Sequence, residues 1–310
     1  MTIHDPARIA APGKPMPTPI QDALQQVESL MLEVVDSEVT VLRDASRHIL
    51  SAGGKRVRPR LVLLAYSAAG GKRPEVAVPV AAAVELVHTA SVVHDDINDH
   101  GIVRRGRASI NAIWGRTFAL LTGDYLFTKV YELMGPHKDL NVVLAEATVA
   151  LVEGETLQAS AVKENNFTRE VYNRIIALKT AALFRSAASL GARLADGTAE
   201  QIEALASFGD SIGLAFQIID DVLDLTGDTE QLGKTAGIDL QQGRGFAATY
   251  EPDAFTSLKE RILQGDAIDE AHAQAEQLVR LAIDQLEVLP DSDAKDGLVD
   301  LANLIVARNF

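Results

Sequence analysis

Ser211-Ile212-Gly213-Leu214-Ala215-Phe216-Gln217-Ile218-Ile219-Asp220-Asp221-Val222-Leu223-Asp224-Leu225 sets three aspartates inside an apolar run. That is poor composition for a solvated surface, and carboxylates among apolar neighbours are costly unless a counter-ion compensates them. Asp220 pairs with Asp224 at i,i+4 and Asp221 with Asp224 at i,i+3, so a helix brings them to neighbouring positions on one face. The same spacing occurs earlier, in Asp95-Asp96-Ile97-Asn98-Asp99. Like charges so placed repel and call for a cation. The register excludes an EF-hand, whose ligands alternate along a loop with glycine at the sixth position. Magnesium suits it better, being bound by few carboxylates and completed by water and substrate phosphate.

Outward from this stretch the chain reads as helices, with no convincing strand. The helix carrying the second cluster spans 199–226, and Thr198 with Gln201 forms a capping box at its start. The first cluster ends a helix over 76–99. Leu24, Val27, Leu30, Met31, Val34 and Val35 recur at helical spacing in a segment read as one helix over 21–52. Gly53-Gly54 stops it, and Pro59 stands near the first turn of the next. Further helices are expected at 108–134, 139–162, 169–193, 252–263, 266–287 and 293–308, with a loop from Gly227 to Gly245. Residues 1–17, with Pro6, Pro12, Pro15 and Pro17, read as a disordered lead-in. Neither a linker nor an internal repeat divides the remainder, so one all-α domain over 18–310 is expected.

Composition narrows the function. At 310 residues and 47% apolar content the chain can bury a sizeable core. No stretch of about eighteen uninterrupted apolar residues occurs, and the N-terminus lacks a charged-then-apolar signal pattern, so a soluble, cytoplasmic protein is expected. Absence of cysteine excludes disulfides and thiolate metal sites. A net charge of −14 argues against nucleic acid or an anionic membrane as partner, and no amphipathic anchor is evident.

Positive charge is concentrated in two short loops. Gly53-Gly54-Lys55-Arg56-Val57-Arg58-Pro59-Arg60 carries four basic residues and no acid, and Arg104-Arg105-Gly106-Arg107 follows the first aspartate cluster. Beside carboxylates, such loops suggest one anion held from two sides, directly by arginine and through metal by aspartate. Diphosphate meets both conditions. His88 shares the helix face of Asp95 and Asp99, about two turns up, and Gln217 lies on the stripe of Asp220, Asp221 and Asp224. Lys179-Thr180 falls within the apolar helix Ile175 to Phe184, and a buried lysine wants an anion.

These blocks together resemble those of the trans-isoprenyl diphosphate synthases, the polyprenyl synthetase family. Gly54-Lys55-Arg56-Val57-Arg58-Pro59 resembles the family's GKxxRP loop, and Asp95–Asp99 with Arg104-Arg105-Gly106 its first aspartate-rich motif. Asp220–Asp224, between Phe216-Gln217 and Gly233-Lys234, resembles the second, while Glu153-Gly154-Glu155 with Gln158, and Lys179-Thr180, match lesser signatures. The resemblance covers nearly the whole chain. It implies the isoprenoid synthase fold, a helical bundle around a deep cavity with both clusters at the mouth, in a homodimer. It further implies that Asp95, Asp96, Asp99, Asp220 and Asp224 bind magnesium, three ions with substrate bound, with Asp221 acting through water. Arg104 and Lys234 would contact the allylic diphosphate, and Lys55, Arg58, His88 and Arg105 would hold isopentenyl diphosphate. Lys179, Thr180 and Gln217 would line the space between. The family's block after the lysine departs here, running Gly237 to Gly243 into Arg244-Gly245-Phe246, where Arg244 keeps a charge for phosphate.

The implied reaction ionises an allylic diphosphate and joins the cation to isopentenyl diphosphate, so no protein nucleophile is required and none is evident. Released diphosphate would take the proton. Small residues at Ala90 and Ser91, where short-product relatives carry aromatics, leave the growth shaft open and imply a product beyond fifteen carbons, C20 or C30–C40. Leu133 and Met134 are candidates for the shaft's floor, with Phe118 or a residue of the 139–162 helix as alternatives. Two other activities share parts of this pattern. A terpene cyclase or head-to-head condensing enzyme ionises the same group, but Lys55, Arg58, His88 and Arg105 point to a second diphosphate. A non-catalytic partner subunit of a heteromeric synthase would be expected to lose one cluster, and both are intact.

Overall fold

The computed structural model of the chain describes residues 16–104, 106–164, 166, 168–226 and 267–307. Its helices are α1 (Thr18–Val34), α2 (Thr40–Leu50), α3 (Val57–Ala68), α4 (Val78–Asn98), α5 (Ile110–Trp114), α6 (Arg116–Met134), α7 (Lys138–Glu164), α8 (Arg169–Ile176), α9 (Ala182–Leu194), α10 (Ala199–Thr226), α11 (Ala267–Gln285) and α12 (Asp293–Val306). A 3₁₀ turn at Pro74–Ala77 leads into α4, and a π-helical turn at Ala177–Ala181 joins α8 to α9. The all-α expectation holds, and α10 begins with the expected reciprocal cap. Thr198 Oγ1 accepts the Gln201 N–H at 3.2 Å, and Gln201 Oε1 accepts the Thr198 N–H at 3.0 Å.

Four local expectations fail for identifiable reasons. The helix expected over 21–52 is two, because Ser37 Oγ accepts the Val39 N–H at 3.1 Å, a local bond that competes with helix continuation. The 108–134 segment divides at Gly115, whose φ of 80° is left-handed. Ser109 Oγ caps the short α5 by accepting the Ala112 N–H at 3.1 Å. Where no strand was expected, Val103–Arg104 and Arg107–Ala108 pair antiparallel in a hairpin too short to show a period-two signal. The π turn was likewise not expected from the sequence. The expected lead-in falls almost wholly outside the described residues, as does the 252–263 helix.

One apolar core runs through the described elements from Ile20 in α1 to Ile305 in α12, with Phe184 and Phe208 among its fully buried side chains. Three helical stretches, Pro74–Asn98, Arg169–Leu194 and Ala199–Thr226, are long and apolar enough by composition to cross a membrane. The apolar windows of the first two are 78% and 72% buried within the protein, and that of the third is 50% buried. A central helix in a bundle must be apolar on most sides, which accounts for the hydropathy of the first two. α4 packs mainly on α6, and α10 lies between α9 and α11. Gly213 lets α10 approach the π turn closely, since a Cβ there would stand 2.7 Å from the Ala181 Cα. That approach sets the second aspartate cluster beside Lys179 and Thr180.

Candidate active site

The two clusters meet across one cavity of about 220 Å³. Asp95, Asp96 and Asp99 enter from the C-terminal end of α4, and Asp220, Asp221 and Asp224 from that of α10. Arg58, His88, Ser91, Arg104, Lys179, Thr180 and Gln217 complete the polar lining expected from sequence. Val92, Leu151, Ile175, Ile176, Leu183 and Phe216 supply its apolar wall.

The first cluster is partly neutralised by the hairpin behind it. Asp96 is buried, and its Oδ1 accepts from Arg104 Nε at 3.0 Å and from Nη2 at 2.7 Å. Burial nevertheless pushes the Asp96 carboxyl above its ordinary range, outweighing Arg104, while the charges of Asp95 and Asp99 push it further. Burial acts against the charge of Arg104, but the aspartates prevail and raise its pKa.

Lys179 projects from the π turn into a cage of acceptors. Its Nζ lies 2.8 Å from Glu155 Oε1 and 2.9 Å from Oε2, 3.2 Å from Gln158 Oε1 and 3.5 Å from Asp95 Oδ2. The lysine expected to be buried is half-buried, and its anion is supplied first by the chain itself. Gly154 makes the contact possible, because a Cβ there would lie 2.6 Å from the Lys179 backbone nitrogen. Burial, followed by the Asp95 charge, pushes Glu155 up to about 7 in spite of Lys179.

The second cluster is held by a relay. Thr180 Oγ1 donates to Gln217 Oε1 at 2.7 Å, Gln217 Nε2 donates to Asp221 Oδ1 at 2.8 Å, and the Tyr172 hydroxyl donates to Asp221 Oδ2 at 2.8 Å. Asp221 and Asp224 are buried, and Asp220 is half-buried. Both Asp221 oxygens are therefore committed to the protein, in keeping with an indirect part in metal binding.

The basic loop divides its four residues. Arg58 is buried, with its guanidinium 4.6 Å from the Phe184 ring centre and 5.9 Å from that of Phe216. Lys55 is exposed and outside the cavity lining. Arg56 is buried away from the lining, and Arg60 lies near Asp300. At Arg56 the backbone is left-handed, with φ 47° and ψ 42°.

Among the chain-length candidates Ser91 lines the cavity, whereas Ala90 is wholly buried in the core and does not. At the far end of α6 Met134 is buried in the core and Leu133 is half-buried against it, neither of them in the lining, and Phe118 is exposed. Leu151, from the helix named as the alternative, does reach the wall. Arg105, Lys234 and Arg244 lie outside the described residues. Sequence reading gave Glu155 and Gln158 no role and overlooked Tyr172. The i,i+3,i+4,i+7 register of Leu151, Gly154, Glu155 and Gln158 was the available signal for the first two.

The donor set fits a hard divalent ion. Among the described residues no three carboxylate or imidazole groups converge closely enough to enclose an ion alone. Two opposed aspartate sets around a polar cavity suit an ion that takes water and phosphate oxygens for the rest of its shell. Burial, with the neighbouring aspartate charges adding to it, raises the Asp96 and Glu155 carboxyls.

Comparison with known proteins agrees with this geometry. The family profile described as Polyprenyl synthetase matches residues 39–277. A short chain isoprenyl diphosphate synthase of Methanothermobacter thermautotrophicus is 38% identical, over 87% of this chain and 90% of the relative. The octaprenyl diphosphate synthase of Escherichia coli is 34% identical, over 91% of this chain and 95% of its own. The crystal structure of a polyprenyl synthase from Caulobacter crescentus, complexed with calcium and isoprenyl diphosphate, superposes with a TM-score of 0.87 at 32% identity, covering 96% of this chain and 99% of that one. The chain belongs to the polyprenyl synthetase family. Its activity is that of a prenyltransferase, a prenyl diphosphate synthase.

Proposed function

We propose that this cavity condenses isopentenyl diphosphate with an allylic diphosphate, using magnesium, and releases an all-trans polyprenyl diphosphate longer than fifteen carbons. The observation that carries the reading is the meeting of six aspartates from α4 and α10 with Arg58, His88, Arg104 and Lys179 around one partly apolar cavity. Asp95, Asp96, Asp99, Asp220 and Asp224 would hold three magnesium ions, with Asp221 acting from behind. Bound magnesium supplies charge stabilisation for the departing diphosphate.

The chain's own residues do the rest. Arg104, fixed by Asp96, and Lys179, beside Asp95, place cationic groups where negative charge develops as the allylic carbon–oxygen bond breaks. Arg58 and His88, in the cavity wall, orient isopentenyl diphosphate so that its double bond attacks the allylic carbon, and Lys55 and Arg105 are assigned to the same substrate by resemblance. A carbon–carbon bond forms, and the proton lost passes to the released diphosphate. Val92, Leu151, Ile176 and Phe216 keep out the water that would trap the cation as an alcohol. Thr180 and Gln217 keep the wall between the two substrates ordered. Lys234 and Arg244 are assigned to the allylic diphosphate by resemblance.

Ser91 leaves the wall small beside the first cluster, which supports growth past fifteen carbons. The named relatives include both short-chain and octaprenyl enzymes, so family membership alone does not set the final length. A homodimer is supported by exposed apolar side chains on α6 and α7, Phe118, Leu121 and Tyr131 on one and Val142, Val149 and Val152 on the other. A cytoplasmic location accords with the absence of cysteine. Incubation with labelled isopentenyl diphosphate, allylic primers of several lengths and magnesium tests the whole reading. Elongated products beyond fifteen carbons are expected, and no elongation with any primer would overturn it.

A further inference from the structure

Arg56 stands between the two loop residues assigned to isopentenyl diphosphate, yet it contacts a different set of partners. Its Nε donates to Glu28 Oε1 of α1 at 3.1 Å, its Nη1 to Glu85 Oε1 of α4 at 3.0 Å, and its Nη2 to the Leu50 carbonyl at the end of α2 at 2.8 Å. Its side chain is 5% exposed and that of Glu85 3%. Three donors of one rigid fork thus tie three helices to a single loop position, an arrangement a lysine could not reproduce. The backbone there sits in the left-handed region, which a residue with a Cβ occupies only when its surroundings hold it. Glu85 lies one turn before His88 on α4, so the same guanidinium connects the loop to the helix that carries the histidine.

We propose that Arg56, gripped by Glu85 and Glu28, is a positioning residue that fixes Lys55 and Arg58 relative to His88 and so sets the binding of isopentenyl diphosphate. This inference rests on the assignment of those three residues to that substrate. A buried ion pair serving stability alone would behave otherwise: its loss would lower the unfolding temperature without singling out one substrate.

Steady-state kinetics with both substrates varied, alongside thermal unfolding, separate the two. Arg56→Lys keeps the charge and loses the fork. The double variant Arg56→Met with Glu85→Leu replaces the pair by apolar groups of similar size, an exchange that buried ion pairs often tolerate. Both are expected to raise KM for isopentenyl diphosphate by about tenfold while KM for the allylic diphosphate stays within about twofold. An unchanged KM for isopentenyl diphosphate in either folded variant overturns the proposal, and so does an equal rise in both KM values. Should the double variant not fold, Arg56→Lys and Glu85→Gln decide on the same readout. Arg58→Ala distinguishes the two levels. If it raises that KM and the Arg56 variants do not, the positioning role alone fails; if it too has no effect, the substrate assignment beneath it fails as well.

Discussion

At the scale of single residues, Glu155 gives the most direct reading of how the cavity treats a carboxylate. Its carboxyl is held at about 7 against an ordinary 4.5, first by burial and then by Asp95. Between those values the folded protein keeps a proton that the unfolded chain has released, so this group's contribution to stability declines as pH rises from 4.5 to 7 and is constant above. Glu155→Gln removes that decline. Thermal unfolding in metal-free buffer should show the variant gaining on the wild type by on the order of 1–3 kcal/mol between pH 4 and pH 8; an equal difference at both pH values would contradict the shift. Ser91 and Ala90 allow a second test, since adjacent small residues on α4 face different surroundings. Ser91→Phe projects a ring into the cavity and should shorten the product, as read by chromatography of the dephosphorylated alcohols. Ala90→Phe overfills a closed core and should instead cost about 1–3 kcal/mol of stability. Sequence reasoning grouped these two because helical spacing gives a face to within one residue, and only packing decides which of two neighbours reaches the cavity.

Among elements, the π turn at Ala177–Ala181 and its partner α7 govern the site. The turn aims Lys179 and Thr180 at the clusters, and Gly154 lets α7 come close enough for Glu155 to meet the lysine. Gly154→Ala should force the two apart, destabilising the fold by about 1–3 kcal/mol. It should also lower kcat more than Glu155→Gln does, because both the lysine and Thr180 shift; wild-type stability and kcat in this variant would show that the close approach is dispensable. The helices of the site were largely legible beforehand, for reasons visible in particular residues. Thr198 and Gln201 announced the start of α10, and Asp220 to Asp224 kept strict helical register inside an apolar run. The π turn was not legible, because Ala-Leu-Lys-Thr-Ala continues the helical composition on either side and one extra residue per turn leaves no mark on it. The break between α1 and α2 was hidden similarly: Val34 and Val35 extend the apolar pattern, and a single side-chain bond from Ser37 decides against continuation.

For the molecule as a whole, the partnership of Asp95 with Asp220 depends on long-range packing of α4, α9 and α10 around one core. Local pattern could show that each cluster needed a cation, while their meeting at the mouth of one cavity was reached through resemblance. The outer surface carries its own prediction. Val149 and Val152 are each more than half exposed on α7, and a protein that pairs through this face should lose that pairing when they become charged. If the proposed homodimer uses this face, Val149→Asp with Val152→Asp should shift sedimentation from dimer to monomer with helical content kept; a wild-type protein that sediments as a monomer, or a variant that stays dimeric, would contradict it. The central claim, that the two clusters act as one ionising site, is tested most directly by magnesium-dependent diphosphate release in Asp95→Asn, Asp220→Asn and the double variant. Each single change should cut the rate by roughly 10²–10³-fold and the double should be little worse than either, as expected for groups acting as a unit. Wild-type rates in either single variant, or losses that multiply in the double, would contradict it.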